Sequence, residues 1–458
     1  MADNTCQKRP AGVEWRQQAG RPGPFLQKTE VWTGMEQALY QNYLEILKSE
    51  LIPALGCTEP IAIAYAAAVA RRALGQEPER IEVACSGNII KNVRAVIVPN
   101  SGGRRGVEVA AILGALVGDP SRELAVLEGV DDAMRTRAAQ LLAEQSCSVS
   151  LLESGENLHI LVTLHAGGHT AAAETKGTHL HIVRVSRDGQ EQFSGRELAK
   201  QSVDKSRLNL RDILEFAGTV RMEDVSETIG RQVRLNSAIS AEGLKHPYGA
   251  QVGRILMQTG GADDIRVRVK AAAAAGSDAR MSGCTMPVVI NSGSGNQGIT
   301  VCMPVVERAR QTGADEERLF RALVAANLTA LLQKRCIGSL SAFCGAVCAA
   351  AGAGCGMAYL DGYGYDVISM TVSNTLATVG GIVCDGAKAS CAAKIAAAVD
   401  AALLSYEMAK QGVCFQPGEG LVGENVEQTI ESVGRVGRVG MAPTDQEILH
   451  IMLEQPGC

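Results

Sequence analysis

Apolar residues first settle into a regular period at Met35. Along MEQALYQNYLEILKSEL, Leu39, Tyr43, Leu47 and Leu51 recur every four residues with Tyr40 and Leu44 beside them, so the spacing predicts an amphipathic helix that Pro53 ends. Residues 1–34 hold both tryptophans and several Pro and Gly, follow neither the helical nor the strand period, and read as a mobile N-terminal extension. So sharp an onset suggests that translation starts at Met35, which the intact mass of the natively expressed protein tests. ALGCTEPIAIAYAAAVARRAL then predicts a second helix capped by Thr58, with Glu59 and Pro60 in its first turn and Cys57 just ahead of its N-terminus. From Ile81 to Val185 the pattern changes: IEVACSG, VRAVIVPN, LHILVTLHA, HTAAAETKG and HLHIVRV read as strands, and AAILGALVG and DDAMRTRAAQLLAEQ as helices. From about Arg196 onward alanine-rich helical patterns dominate, broken by glycine clusters such as SGSGNQG and TVGGIVCDGAK. The expected fold class is α+β. Residues 35–78 form N-terminal helices carrying LGCTEP, residues 79–190 a smaller α/β subdomain, and residues 191–458 a large, mostly helical Gly/Ala-rich catalytic domain whose glycine loops line a site.

Composition narrows the function more than the fold. A chain of 458 residues has room for two to three domains at about 150 residues each. Hydrophobic residues make up 46% and charged residues 20%, which excludes disorder over most of the length. Net charge is −5, so no global basic excess holds a polyanion and nucleic acid is not an expected partner. Fifty glycines and 3% aromatic residues mean that cores are built from small side chains. Residues 336–360 and 367–384 carry no charge and are long enough to span a bilayer. Their Gly, Ala, Ser and Cys content suits tightly packed buried helices instead, so no membrane is expected. No secretory signal is apparent, and the 14 cysteines follow no disulfide-module spacing, which reads as reduced thiols in a cytoplasmic protein.

Those thiols fall in suggestive places. Cys57, next to a helix N-terminus, sees backbone N–H donors and the positive end of a dipole, which favour an anionic sulfur; the competing reading is a small buried apolar residue. LSAFCGAVCAAAGAGCG holds Cys344, Cys348 and Cys355, and GIVCDGAKASCAAK holds Cys384 and Cys391. Cys344 and Cys348 would share a helix face, as would Cys384 and Cys391 if one helix ran through both. No pair has the C-x-x-C spacing of a zinc knuckle or a redox dithiol. SGSGNQG lacks the lysine of a phosphate-binding P-loop, and is expected either to cradle a carboxylate on backbone N–H groups, with Ser292, Ser294 and Asn296 adding side-chain hydrogen bonds, or to be a tight helix connection. Of seven histidines, His165, His169, His179 and His181 have same-parity numbers and would share a sheet face if their strands pair. They read as strand-face histidines near a cleft, one of them able to carry a proton, in preference to a metal site.

LGCTEP, SGSGNQG, LSAFCG and VCDGAKASCA together, in this order, resemble the L-cysteine desulfidase family, an otherwise uncharacterised family related to the iron–sulfur L-serine dehydratase α chain. The resemblance runs from about Met35 to about Leu453. It implies a serine-dehydratase-α-like domain over residues 191–458 and an oxygen-sensitive [4Fe–4S] cluster held by Cys57, Cys344 and Cys384, with Cys348 as the competing choice for the second ligand. Three ligands leave one iron open as a Lewis acid. The implied reaction is a pyridoxal-phosphate-independent β-elimination on a small amino acid, L-cysteine or alternatively L-serine. On that reading SGSGNQG, through Ser292, Ser294, Gly295 and Asn296, takes the substrate carboxylate, and Lys388 is the candidate base, with His169 and His179 as alternatives. The C-terminal Cys458 is a further candidate, a tail thiol able to occupy the open iron at rest. A reading from a different class is a non-catalytic iron–sulfur redox sensor. Oligomeric state is left open, with a homo-oligomer compatible.

Overall fold

The computed structural model of the chain describes residues 35–194, 203–261, 263–338 and 340–454. The expected N-terminal extension and Cys458 lie outside the described residues.

The chain opens with α1 (Gln37–Glu50), β1 (Pro53–Leu55) and α2 (Thr58–Leu74). It continues through β2 (Arg80–Cys85), α3 (Gly87–Val93), α4 (Val107–Val117), α5 (Asp132–Ala143), β3 (Cys147–Leu151), β4 (His159–Ala166), β5 (His169–Lys176), β6 (Ile182–Arg187) and β7 (Gln190–Ser194). Helices then take over: α6 (Leu210–Thr219), α7 (Met222–Lys245), α8 (Val252–Gly260) and α9 (Ile265–Met281) lead to the short β8 (Pro287–Val289). After it come α10 (Gly295–Thr312), α11 (Glu316–Ile337), α12 (Gly345–Leu360), α13 (Tyr365–Val379), α14 (Cys391–Lys410), α15 (Val426–Arg435) and α16 (Ala442–Glu454). The fold is α+β and mostly helical, with a small mixed sheet, as the patterning predicts.

The sheet has the order β3-β2-β4-β5-β6-β7, parallel between β2 and β3 and antiparallel elsewhere. One face, made by Ile81, Val83, Ile160, Val162, Leu164, Ala171 and Ala173, is buried, and α2 packs along it. The other face carries partly exposed side chains, the one-sided burial typical of an antiparallel sheet. In the helical part α12 is the central element. Every residue from Ala346 to Leu360 is buried, and it packs against α10, α11, α13 and α14. Its small residues make this geometry feasible: a Cβ on Gly352 would lie 2.6 Å from the Ala326 carbonyl oxygen of α11. Among the described residues no helix is long and apolar enough to cross a membrane.

Four local expectations are corrected. Thr58 does not cap α2; Cys57 is the N-cap residue and Thr58 the first helical position, its hydroxyl donating to the Gly293 carbonyl at 3.0 Å. VRAVIVPN is not a strand. Val96 and Val98 are buried in alternation as the pattern suggested, but the segment finds no ladder and makes only an isolated bridge between Ile97 and Arg105. The same-parity histidines do not share a sheet face. His165 pairs with Thr170 and Ala166 with His169, so the register sets His165 and His169 on opposite faces, while His179 and His181 lie in the connection after β5. Finally, α14 begins at Cys391, which leaves Cys384 in the preceding loop instead of on a shared helix face.

Candidate functional site

Two short backbone pairings bring the four cysteine- and glycine-rich motifs together. β1 pairs antiparallel with β8, Pro53 opposite Val289 and Leu55 opposite Pro287, and the Ile290 N–H donates to the Ile52 carbonyl at 3.0 Å. The chain leaves β1 and β8 from opposite ends of this short pair, and the Thr58–Gly293 hydrogen bond brings LGCTEP and SGSGNQG back together. The second pairing is the bridge between Phe343 and Val383, flanked by Cys344 N–H to Ile382 carbonyl at 3.0 Å and Cys384 N–H to Ala342 carbonyl at 2.6 Å. It sets Cys344 and Cys384 side by side.

All four motifs line one cavity of about 520 Å³, a size that suits a small ligand. Its wall includes Cys57, Cys344, Cys384 and Cys391, the Ser292, Ser294 and Asn296 side chains, Glu59, Asn92, His179, Arg280, Gln297 and Lys334. Cys57 is the N-cap of α2, Ser294 of α10 and Cys344 of α12, while Cys391 is the first residue of α14. Four helix N-termini thus converge on the cavity, each bringing the positive end of its dipole toward it. Three buried polar atoms of the wall have no hydrogen-bond partner among the described residues: His179 Nε2, Arg280 Nε and Gln297 Oε1. Leaving such atoms bare is costly, and a polar ligand in the cavity relieves the cost.

The thiols differ in charge. The Cys344 thiol donates to Cys384, which raises Cys344 well above the ordinary thiol range and lowers Cys384 to about 6. Lys91 and Lys334 add their positive charge on the Cys384 side. Cys57 is pushed well up, first by burial and then by the Glu59 carboxylate, to which its sulfur donates at 3.1 Å. Burial alone would raise Glu59, but the His179 ring, the Cys57 thiol and Arg280 outweigh it and hold the carboxyl below its usual value. Burial pushes His179 below the ordinary imidazole range, which favours the neutral ring, while Glu59 works against the shift. Lys334, buried in α11, is pushed down by desolvation, with Cys348, Cys384 and Cys344 opposing.

Of the residues expected from the sequence, Cys57, Cys344, Cys384, His179, Ser292, Ser294 and Asn296 meet at this cavity. Gly295 lies behind the wall as the first residue of α10. Lys388 does not line the cavity; its ammonium pairs with Asp385 at 2.6 Å. His169 also lies outside it, half exposed at the β4–β5 hairpin and bonded to Asp188 at 2.8 Å. Cys348, one turn into α12, is fully buried and outside the lining. Glu59, Asn92, Arg280, Gln297 and Lys334 also line the wall and were not named as site residues by sequence reasoning, which named Cys391 only as a thiol of the fourth motif. Glu59 stands inside LGCTEP. Arg280 and Lys334 stand on helices that carry several other charged residues, such as Arg268 and Asp278 on α9 and Arg321 and Arg335 on α11, so the sequence gives no such signal for them.

The donor set suits an iron–sulfur cluster better than a lone ion. Among the described residues no three His, Cys, Asp or Glu side chains converge tightly enough to hold a single metal ion. A multi-iron cluster is gripped by one thiolate per iron around a larger volume. Three thiols on separate elements line the one cavity here, and the Cys384 thiol is lowered to about 6, which favours the thiolate a cluster iron needs.

Comparison with known proteins adds the family context. Residues 121–450 match the serine dehydratase alpha chain family. A UPF0597 protein of Desulfitobacterium hafniense (strain Y51) is 48% identical over 419 residues, covering 91% of this chain and 97% of that protein. One of Lachnoclostridium phytofermentans is 46% identical over 417 residues, covering 91% of this chain and 100% of its own length. A third, from Vibrio campbellii (strain ATCC BAA-1116), is 39% identical over 422 residues, covering 90% of this chain and 99% of its own.

Proposed function

Because the chain belongs to the serine dehydratase alpha chain family, among its UPF0597 members, we propose that it is an iron–sulfur lyase that eliminates sulfide from L-cysteine to give pyruvate and ammonia. The coarser statement, a lyase of the serine dehydratase type acting on a small amino acid, follows from family membership. The observation that carries the finer reading is the single cavity shared by Cys57, Cys344 and Cys384 at converging helix N-termini. These three residues would hold a [4Fe–4S] cluster, which supplies when bound an open iron acting as a Lewis acid toward the leaving sulfur.

The rest of the chemistry falls to side chains of the chain. In a β-elimination the Cα proton goes to a base, its electron pair forms the Cα–Cβ double bond, and the Cβ–S bond breaks with its pair on sulfur. The released aminoacrylate tautomerises and is hydrolysed to pyruvate and ammonia. His179 is the base this geometry favours over Lys388 and His169: it lines the cavity, burial keeps its ring neutral, and its Nε2 has no other partner among the described residues. Lys388 spends its charge on Asp385. The Ser292, Ser294 and Asn296 loop bounds the carboxylate side. Ile290, Leu331, Phe343, Ala346 and Ile395 form an apolar stretch of a wall that elsewhere carries Glu50, Thr178, Lys205, Arg335 and Ser341. A side chain ending in sulfur loses less against that apolar stretch than one ending in a hydroxyl, which favours cysteine over serine.

The test is anaerobic purification with iron and acid-labile sulfide analysis, followed by sulfide and pyruvate release from L-cysteine and pyruvate release from L-serine. About four irons with cysteine-dependent sulfide are expected, and Cys57→Ala, Cys344→Ala and Cys384→Ala should each lose iron where Cys348→Ala keeps it. Pyruvate from L-serine alone would move the activity to serine dehydration. An intact cluster with no turnover of either amino acid would favour a redox sensor, and a protein that stays metal-free and inert after cluster reconstitution would overturn the reading.

A further inference from the structure

Arg280 is a buried ion that the elimination chemistry above does not use. It sits in the last turn of α9, only 2% exposed, and lines the cavity. Its Nη1 donates to Asn296 Oδ1 at 3.2 Å. Among the described residues its buried Nε has no partner and no carboxylate forms an ion pair with it. Glu59, the acid whose charge it influences, is already engaged by the Cys57 thiol and the Asn92 amide, each at 3.1 Å. Burying a cation without a counter-charge is normally expensive.

The C-terminal end of α9 favours the cation it carries, but the place the guanidinium reaches does not. The guanidinium lies across the first turn of α10, where a Cβ on Gly295 would come within 2.3 Å of its Nε and 2.7 Å of its Cζ. A cation is thus held against the positive end of a helix, where the dipole opposes it. Both costs change sign when an anion sits between them, since the guanidinium and the positive helix end then face the same charge. A guanidinium fork matches a carboxylate with two parallel hydrogen bonds, and an ammonium does not.

We propose that Arg280 anchors the α-carboxylate of the amino-acid substrate, at the end of the cavity bounded by Asn296 and the N-terminus of α10. That the anion belongs to an amino acid rests on the function proposed above; the anion site itself rests on the buried, unpaired guanidinium. Gly295 acts as a positioning residue, because only glycine leaves room for the guanidinium at that turn.

The experiment is calorimetric titration of the anaerobically purified holoenzyme with L-alanine, L-alaninamide and propanoate, none of which has a leaving group to eliminate. The parent should bind L-alanine and propanoate and discriminate strongly against the amide. Arg280→Gln should weaken L-alanine by about 100-fold and bind acid and amide alike, with iron content unchanged. Arg280→Lys should fall between, and Gly295→Ala, which keeps the charge but displaces it, should weaken L-alanine with iron content unchanged; these two carry the test if the Gln variant does not fold. Binding of L-alanine by Arg280→Gln within threefold of the parent would overturn the assignment, as would a parent that binds neither L-alanine nor propanoate. A parent that binds propanoate through Arg280 yet turns over neither cysteine nor serine would sink the lyase reading and leave the anion site standing.

Discussion

Cys384 and Cys344 show how much a single hydrogen bond decides at this site. With Cys344 donating, Cys384 is lowered to about 6, while Cys57 and Cys391 are raised chiefly by burial. A lowered thiol is protonated below its pKa and anionic above it, so in reduced, cluster-free protein Cys384 should be the first of these four cysteines to be alkylated, half-maximally near pH 6. Iodoacetamide labelling with peptide mass spectrometry, from about pH 5 to about pH 9, reads this. Cys344→Ala removes the donor and should move the midpoint upward; an unmoved midpoint would show that the lysines, not Cys344, make the thiolate. At this scale the cysteines and the serine–glycine loop were legible because their motifs are compact in sequence. Arg280 and Lys334 were not, since each stands in an ordinary helical pattern and becomes unusual only once its neighbours leave it buried.

Elements meet through glycine and alanine more than through large side chains. Gly243 of α7 is an example: a Cβ there would lie 2.0 Å from the Ala275 carbonyl oxygen of α9. Alanine is the better helix former by about 1 kcal/mol, yet it would force the two backbones apart at a cost of about 1–3 kcal/mol. Gly243→Ala should therefore destabilise the protein, read as a lower denaturant midpoint with unchanged slope; a higher midpoint would mean that the helices separate freely. Periodicity predicted α1, α2, α4 and α5 well, because a helix declares itself within one segment. It missed β1, β3, β7 and β8, which are short and exist through their partners. The two three-residue strands β1 and β8 carry little pattern of their own, yet their pairing joins LGCTEP to SGSGNQG.

The whole molecule sets a sheet covered by α2 beside a helical bundle centred on α12, with the cavity where they meet. His179, from the connection after β5, is the sheet's contribution to the wall, and the Gly293 backbone leaves space for its ring. The far end of the chain closes back on the same region. α16 packs on α3 with no buried residue of its own, held by Asp445 to the almost completely buried Lys91 and by Arg94 to the Met452 carbonyl. Asp445→Asn would leave the Lys91 ammonium buried and unpaired at a cost of about 3 kcal/mol. Faster hydrogen exchange over residues 442–454 is expected, and exchange as slow as the parent's would show that packing alone docks the helix.

What the sequence determined by itself was local in origin: an α+β fold, the larger helices, small-residue cores, and the four motifs whose order marks the family. These follow from periods, composition and short strings that one segment carries alone. Tertiary structure decided which of the candidate residues share a cavity, admitting His179 and leaving Lys388 and His169 outside. It also decided which thiol is lowered toward its anionic form and which buried arginine has no counter-ion among the described residues. Such properties depend on burial and on partners far apart in the chain, Cys344 with Cys384 and Arg280 with Asn296, and no periodicity encodes a contact between segments.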